Sequence, residues 1–470
     1  MRRARQDHAD VVVIGAGVAG LTAALALQDA GADVLVVEAA PLAGGRIRTH
    51  RFPEPHRHAT GELGAMRVLE EHDRTRRLLE RVGLTGRLTP YAPMFHDTHS
   101  LLATADSVRG AEEALTARPG TRSGATTLQV ILDGVTPWPV ARRTHRHDRL
   151  PTLPALTTTG SLPTRLVEYL ATCADRLDGS DPVLATALRE LALEFKPALA
   201  CPEGLDLLPK CLAALLERPV RHLHRLVSLT EGRDHVEAQC ESGSPPRLLR
   251  IRAAVAVCAL PVWLLPRIHL EGPVRSLLHK DIAGRAPSGA RKMLVHMARP
   301  VWQDQGIRSG GSAGGPLLRQ VFYPCGTPDG DCDCAVLTVY ATGRDTAAMG
   351  RIPPTQRLDV VVRQLARLHP AAGQPGMVLG HAVADWSQVP FVHGAFDGEW
   401  RPATNPLDRH GIRTGRVLLA GDSLSRRPGW VEGAVSAGER AAEDANVALR
   451  SRARPPHTPL PSTATLTKEC

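Results

Sequence analysis

The stretch from Asp10 to Glu38 constrains this chain more than any other. Val11-Val12-Val13-Ile14 is a β-branched apolar run, too short for a free-standing helix and suited to a parallel strand buried on both faces. It runs into Gly15-Ala16-Gly17-Val18-Ala19-Gly20. Gly15 permits the tight turn, Gly17 lets a ligand approach the backbone, and Gly20 lets the next helix lie close on the strand. The following residues predict a helix from Leu21 to about Ala30, ended by Gly31, with its N-terminal N–H groups aimed at a pyrophosphate. A second strand, Val34 to Val37, then delivers Glu38, where a carboxylate accepts hydrogen bonds from both ribose hydroxyls of an adenosine. Glycines recur by chance in turns. Strand, turn, helix, strand and terminal acid in this order predict a dinucleotide site.

Size and charge narrow the classes. At 470 residues the chain should hold two or three lobes. Hydrophobic content of 43%, charged content of 22% and the lack of a bilayer-length apolar run predict a soluble globular protein with no membrane partner. Only the basic stub Met1-Arg2-Arg3-Ala4-Arg5 precedes the first strand, and nine scattered cysteines suit reduced thiols, so the expected location is cytoplasmic. The net charge of +9 favours anions in general. With arginines spread out and aromatics at 3%, neither a basic stripe nor a stacking platform forms, so no nucleic-acid partner is expected.

After Glu38 the turn through Ala39 and Pro41 reaches Gly44-Gly45-Arg46, where adjacent glycines and an arginine again suit a backbone wrapped around phosphate. Next comes Gly61-Glu62-Leu63-Gly64-Ala65-Met66-Arg67. Together these segments resemble the flavin amine oxidase superfamily, and Glu-Leu-Gly-Ala-Met-Arg is most similar to its L-amino-acid oxidase branch. The resemblance implies FAD as cofactor, with Gly45, Arg46, Gly64, Ala65 and Met66 along it and Arg67 clamping the substrate carboxylate. Independently of the resemblance, a guanidinium offers a carboxylate a planar, bidentate partner that stays charged in a closed site. The structural alternative for Arg67 is pairing with Glu62, Glu70 or Glu71.

Further along, residues 72 to about 200 carry the least signal: helical pattern at Arg74–Val82 and Val183–Leu193, and Pro-, Gly- and Thr-rich sequence over Arg118–Pro163. His145-Arg146-His147 lacks a completing acid or cysteine cluster and reads as a solvated loop, and Cys332-Asp333-Cys334 as surface thiols, so no metal is expected. A helix to Leu216, a strand pair near Val220–Leu229 and His235–Cys240, and a buried strand over Ala253–Leu260 resemble the family's return to its FAD domain. The resemblance makes Leu226 or Val227 the apolar residue by the adenine. Ala290–His296 alternates like a strand, and the resemblance implies that Lys292 is the family's lysine near flavin N5, holding a water, where a buried ammonium would respond to the flavin's charge. Gln320–Tyr323 and Ala335–Tyr340 read as a β-connection across a turn, with Tyr340 at the position of the family's carboxylate-binding hydroxyl. The Asp385–Phe391 segment again resembles the family, and Phe391 and Phe396 are candidate pocket walls. Near the C-terminus, Val417–Ala420 is a strand, Gly421-Asp422 ends it, and Gly429-Trp430-Val431 opens a helix through Ala445, whose dipole end would stabilise negative charge on the flavin. The resemblance sets Asp422 near the ribityl-phosphate, in place of the usual glutamate, with the Val431 N–H at the isoalloxazine and Trp430 beside the substrate.

The expected fold is α/β: a Rossmann-like FAD-binding domain of the amine-oxidase type over 8–68, 203–284 and 408–452. It is joined by a mixed-sheet α+β substrate domain over 69–105 and 285–407, a helical insertion over 106–202 and a disordered tail over 453–470. The expected activity is FAD-dependent oxidative deamination of an L-amino acid. Hydride passes from Cα to flavin, the imino acid becomes a 2-oxo acid and ammonia, and dioxygen becomes hydrogen peroxide. Catalytic candidates are Arg67, Tyr340, Lys292 and Trp430, and an aromatic or large apolar substrate is expected from Trp430 and the Phe391 region. Monoamine or polyamine oxidation, amino-acid 2-monooxygenation to an amide, and an FAD-binding scaffold without catalysis stay open as alternatives, as does assembly as a homodimer.

Overall fold

The structure, a computed structural model, describes residues 5–53, 59–91, 197–277, 282, 285–307, 310–313, 318, 320–324, 334–397 and 412–453. The expectations at 118–163, 145–147, 183–193, 332–333 and 454–470 fall outside these residues. So does most of the 106–202 span.

Strands and helices of the described residues are numbered in chain order. The N-terminal βαβ unit is β1 (Arg5–Ile14), α1 (Val18–Asp29) and β2 (Val34–Val37). A hairpin-like pair, β3 (Thr49–Arg51) and β4 (Thr60–Glu62), comes next. Then β5 (Val68–Leu69), α2 (Asp73–Arg81), β6 (Thr89–Tyr91) and β7 (Ala198–Ala200) give a small three-stranded sheet beside a helix. Helix α3 (Leu207–Ala214) leads into β8 (Arg225–Glu231), β9 (Val236–Ser242), β10 (Arg247–Cys258) and β11 (His269–Glu271).

The main sheet runs β11-β8-β9-β10-β1-β2. β1 is parallel to β10 along its length and to β2 over Val11–Ile14, which is why those last four residues are continuously apolar rather than alternating. Its side chains divide between two cores. Val11 and Val13 join α1 on one face, while Val12 and Ile14 join Leu226, Leu229 and Trp263 on the other. Burying each such valine or isoleucine contributes about 1.5–3 kcal/mol.

A second, antiparallel sheet carries the other half of the molecule. After β12 (Pro287–Ser288) come β13 (Ala290–Met297), β14 (Gly310–Ala313), β15 (Gln320–Tyr323), β16 (Val336–Thr342) and β17 (Val378–Asp385), in the order β14-β15-β16-β13-β17. Between β16 and β17 lie α5 (Gly343–Gly350) and α6 (Pro354–Leu368), while the short α4 (Pro273–Leu277) follows β11 in the first half. Met293, Val295, Val321, Tyr323, Leu337 and Val339 face a core with Trp302 and Leu365. The alternate residues of the same strands, Lys292, Leu294, Phe322, Val336 and Tyr340, therefore share the opposite face. Gly61 of β4 lies on that face so closely that an added Cβ would meet Leu294 at 2.7 Å.

The chain closes through β18 (Phe396–Asp397), β19 (Ile412–Thr414), β20 (Val417–Leu419) and α7 (Val431–Ala453). β20 returns to the main sheet parallel to the end of β10, and α7 packs on the core it shares with α1. The C-terminal helix runs past the expected end at Ala445 to Ala453, because its buried stripe, Val435, Ala441, Ala442, Ala445 and Ala448, keeps returning to that core. Where 106–202 is described, at 197–202, it holds strand β7 rather than helix. No described helix is long and apolar enough to cross a membrane.

Candidate active site

The site has a backbone end and a side-chain end. At the first, Gly15 takes φ +102°, and a Cβ on Gly20 would stand 2.0 Å from the Gly15 carbonyl oxygen, so α1 lies on the turn with no room for a side chain. Gly17 is the N-cap of α1, has no side-chain cap, and has open space where its Cβ would be. The first N–H groups of α1 are thus left for a ligand. The Gly44-Gly45 turn docks directly on this loop: Gly44 N donates to the Ala16 carbonyl at 2.9 Å, and Gly45 (φ +59°) approaches Gly17.

Glu38 stands at the end of β2 beside Ala39. Its carboxylate accepts from Ala16 N and Ala40 N, both at 2.7 Å, so it braces the glycine loop as well as ending the βαβ unit. Leu226 is buried with Val12 and Val37, while Val227, at the bulge in β8, is only half-buried.

Arg46 joins this end to the rest. Its guanidinium pairs with Asp422, donates to the Ala395 carbonyl at 2.9 Å and stacks 5.5 Å over the Trp263 ring. Asp422 is buried and accepts a hydrogen bond from Gly429 N at 2.8 Å, which fixes the loop leading to Trp430 and to Val431, the first residue of α7. Gly421 takes φ +152° with open space at its Cβ. Gly64 lies so close to the Arg46 carbonyl that a Cβ would come within 2.2 Å, and Ala65 N donates to that carbonyl at 3.1 Å. The four glycine-bearing segments, distant in sequence, are one contiguous cradle. Its close backbone approaches, open Cβ positions and free helix N-terminus fit a dinucleotide that runs from the α1 turn towards α7.

At the other end four predicted residues meet. Register pairs Lys292 of β13 with Tyr340 of β16, and Tyr340 with Gln320 of β15. The Lys292 Nζ lies 4.9 Å from the Tyr340 ring and donates to the Gly64 carbonyl at 2.6 Å. Lys292 is 4% exposed, so it is no outward strand lysine. Arg67 is buried too, its guanidinium 5.7 Å from the Phe322 ring and 5.7 Å from the Trp430 ring. Phe322 neighbours Tyr340 at 6.2 Å, and His72 meets the Trp430 ring edge-on at 5.0 Å. Met66, between Ala65 and Arg67, is half-buried.

Among the acids near Arg67 in sequence, Glu71 pairs with Arg427, and Glu62 accepts from Thr49 Oγ1 and Leu205 N. The aromatic wall differs from expectation. Phe391 is 40% exposed and Phe396 belongs to the short β12–β18 ladder, whereas Phe322 stands against Arg67. Phe322 was readable as a strand residue, but only its register beside Tyr340 brings it here. His72 carried no sequence signal at all.

Charged groups around the site are fixed by burial and pairing. Burial pushes the Glu62 carboxyl up to about 7, against the lowering effect of hydrogen bonds from Leu205 and Thr49 and of the Lys292 charge. At Asp385, burial raises the carboxyl but hydrogen bonds from Ser387 and Arg291 outweigh it, leaving it below its ordinary value. Arg291, next to Lys292 on β13, is thereby neutralised inside the sheet. The buried Cys240 and Cys258 thiols are pushed up to about 12 by burial, so neither is a thiolate nucleophile. Among the described residues no cluster of His, Cys, Asp and Glu could hold a metal.

Comparison with known proteins agrees with this geometry. The family described as flavin containing amine oxidoreductase matches residues 18–446. A flavin-dependent L-tryptophan oxidase of Lentzea aerocolonigenes is 28% identical over 458 residues, covering 92% of this chain and 96% of that protein. An L-amino-acid oxidase of Siganus canaliculatus is 25% identical over 460 residues, covering 93% and 85%. Among solved structures, a wild-type putrescine oxidase bound to putrescine superposes with a TM-score of 0.73 at 18% identity, covering 94% of this chain and 100% of the other, a likeness of fold. The cradle and the family agree on the cofactor, which is FAD, and on an oxidoreductase acting on CH–NH2 bonds. The chain belongs to the flavin containing amine oxidoreductases.

Proposed function

We propose that the protein oxidatively deaminates an L-amino acid with an aromatic or large apolar side chain. The observation that carries this reading is the buried Arg67 guanidinium, within 5.7 Å of both the Phe322 and Trp430 rings, with Phe322 next to Tyr340 and Tyr340 next to Lys292. A desolvated, permanently charged guanidinium recognises a carboxylate, which an amine substrate lacks. The relatives named for L-tryptophan and L-amino-acid oxidation support the same choice.

Arg67 and the Tyr340 hydroxyl would hold the carboxylate, and Phe322, Trp430 and Tyr340 would wall the side chain. Bound FAD supplies the hydride acceptor and, on reoxidation by dioxygen, hydrogen peroxide. Gly15, Gly17, Gly20 and Glu38 would hold its adenosine and pyrophosphate portion with Ala39, Gly45, Arg46 and Leu226. Gly64, Ala65, Met66, Gly421, Asp422 and Val431 would flank the rest. Lys292, tied to the Gly64 carbonyl, would place a water at the reacting carbon. Water then hydrolyses the imino acid to a 2-oxo acid and ammonia. Because the substrate amine must be neutral, with its lone pair free to form C=N as Cα gives up hydride, the rate should rise towards alkaline pH.

The test is Arg67→Ala, assayed with an L-amino acid and with its decarboxylated amine. The expected result is a rise of about 100-fold in KM for the amino acid, from loss of a charge-assisted pair worth about 1.5–3 kcal/mol, and little change for the amine. Equal weakening of both would overturn the carboxylate clamp. An amide in place of the 2-oxo acid among the products would move the chain to the monooxygenases.

A further inference from the structure

Glu62 is a charged group beside the site that the proposed mechanism does not use. It ends β4, two residues before Gly64 and five before Arg67. Its Oε1 accepts from Leu205 N, ahead of α3, at 2.6 Å, and both carboxylate oxygens lie 3.0 Å from Thr49 Oγ1 on β3. Thr49 Oγ1 in turn accepts from Asp206 N at 3.2 Å, so the carboxylate ties β3, β4 and the entrance to α3 into one unit. That unit lies on the face of the second sheet that bears Lys292, because Gly61 packs on Leu294 and Val336 there. The Lys292 ammonium, bound to the Gly64 carbonyl, acts on Glu62 through its charge.

We propose that Glu62 is a positioning residue for this site. Its carboxylate braces the strand that leads into Gly64–Arg67, and its negative charge holds the Lys292 ammonium on the Gly64 carbonyl. The inference rests on the reading of Lys292 and Arg67 as site residues.

The charged and titratable neighbours define what the carboxylate feels. Lys292 on β13 favours its anion. Asp206, ahead of α3, opposes it but is itself neutralised by Arg51 and Lys210. Arg51 on β3 and Cys201, beyond β7, also lie within electrostatic reach. With burial lifting the carboxyl to about 7, the brace and the charge are separable: near neutrality the group still hydrogen-bonds when protonated but loses its hold on the ammonium.

Glu62→Gln on the holoenzyme separates the two roles, since the amide oxygen can still accept from Leu205 N while the charge is gone. The expected result is a fall of about tenfold in kcat, the rate equivalent of one pKa unit of lost charge interaction, with KM nearly unchanged. The rate limb that titrates near pH 7 should vanish. Glu62→Ala, which removes the brace as well, should also raise KM. A readout independent of turnover is the infrared carboxyl band: the wild type should show one protonated carboxyl titrating near pH 7 that is missing in Glu62→Gln. A Glu62→Gln enzyme with the wild-type pH profile and kcat, or a carboxyl band unchanged by the substitution, would overturn the proposal. Arg67→Ala behaving identically towards amino acid and amine would instead defeat the substrate assignment and leave the carboxyl titration readable.

Discussion

The two ends of the site are built by different means. The end around Gly15–Gly20 and Gly44–Arg46 is made of backbone, with approaches so close that side chains are excluded at Gly20 and Gly64. The end around Lys292, Tyr340, Phe322 and Arg67 is made of side chains brought together by cross-strand register and one docked loop. A backbone cradle tolerates no added atoms but is indifferent to most side chains around it. A side-chain pocket keeps its fold when one member is replaced, yet loses chemistry. Cofactor binding and turnover should therefore fail separately.

Gly20→Val tests the first half of that contrast and should have the largest effect. With a Cβ 2.0 Å from the Gly15 oxygen, α1 must move off the sheet. We expect at least about 3 kcal/mol of lost stability and no retained flavin, read by thermal unfolding and by visible absorbance. A variant that folds and stays yellow would break the comparison. Lys292→Met should do the opposite, leaving stability and bound FAD intact while slowing turnover by about 100-fold, as expected for losing a positioned charged group at the reacting centre. Equal loss of FAD would show that the lysine belongs to the cradle.

Asp422→Asn probes the join between the two ends. The amide keeps its acceptor for Gly429 N but loses the ion pair with Arg46. FAD affinity should fall by about tenfold, measured by titrating apoprotein with FAD, with kcat at saturating FAD little changed. The smallest effect concerns pH. The Glu62 carboxyl is raised in the folded state from 4.5 to about 7. Folding then binds protons between those values, so its contribution to stability is present in acid and is lost as pH rises through about 7. Unfolding of Glu62→Gln should show a flatter dependence than the wild type over that window.

The same contrast explains what the sequence made legible. The glycine turns, Glu38, the Gly-Gly-Arg turn and the Gly421–Val431 segment announce themselves because each needs particular residues at fixed spacing along the chain. β13 and the β15–β16 pair were also readable from alternation, and Lys292 and Tyr340 with them. Phe322, His72 and Glu62 were not, since their places depend on which strands pair and which loop docks on which face. Phe391 misled because an aromatic in a family-like segment carries no information about exposure. Helix α6 and strand β17 went unmarked, as β17 is an edge strand whose exposed Leu379 and Val383 blur the usual alternation.

The most direct test of the central claim is anaerobic reduction of the purified flavoprotein, followed by loss of its yellow absorbance, with L-tryptophan and other L-amino acids set beside their decarboxylated amines. Bleaching by the amino acids and not by the amines is the predicted result. Bleaching by amines alone would contradict it, reducing Arg67 to a structural arginine and moving the chain among the amine-specific members of its family.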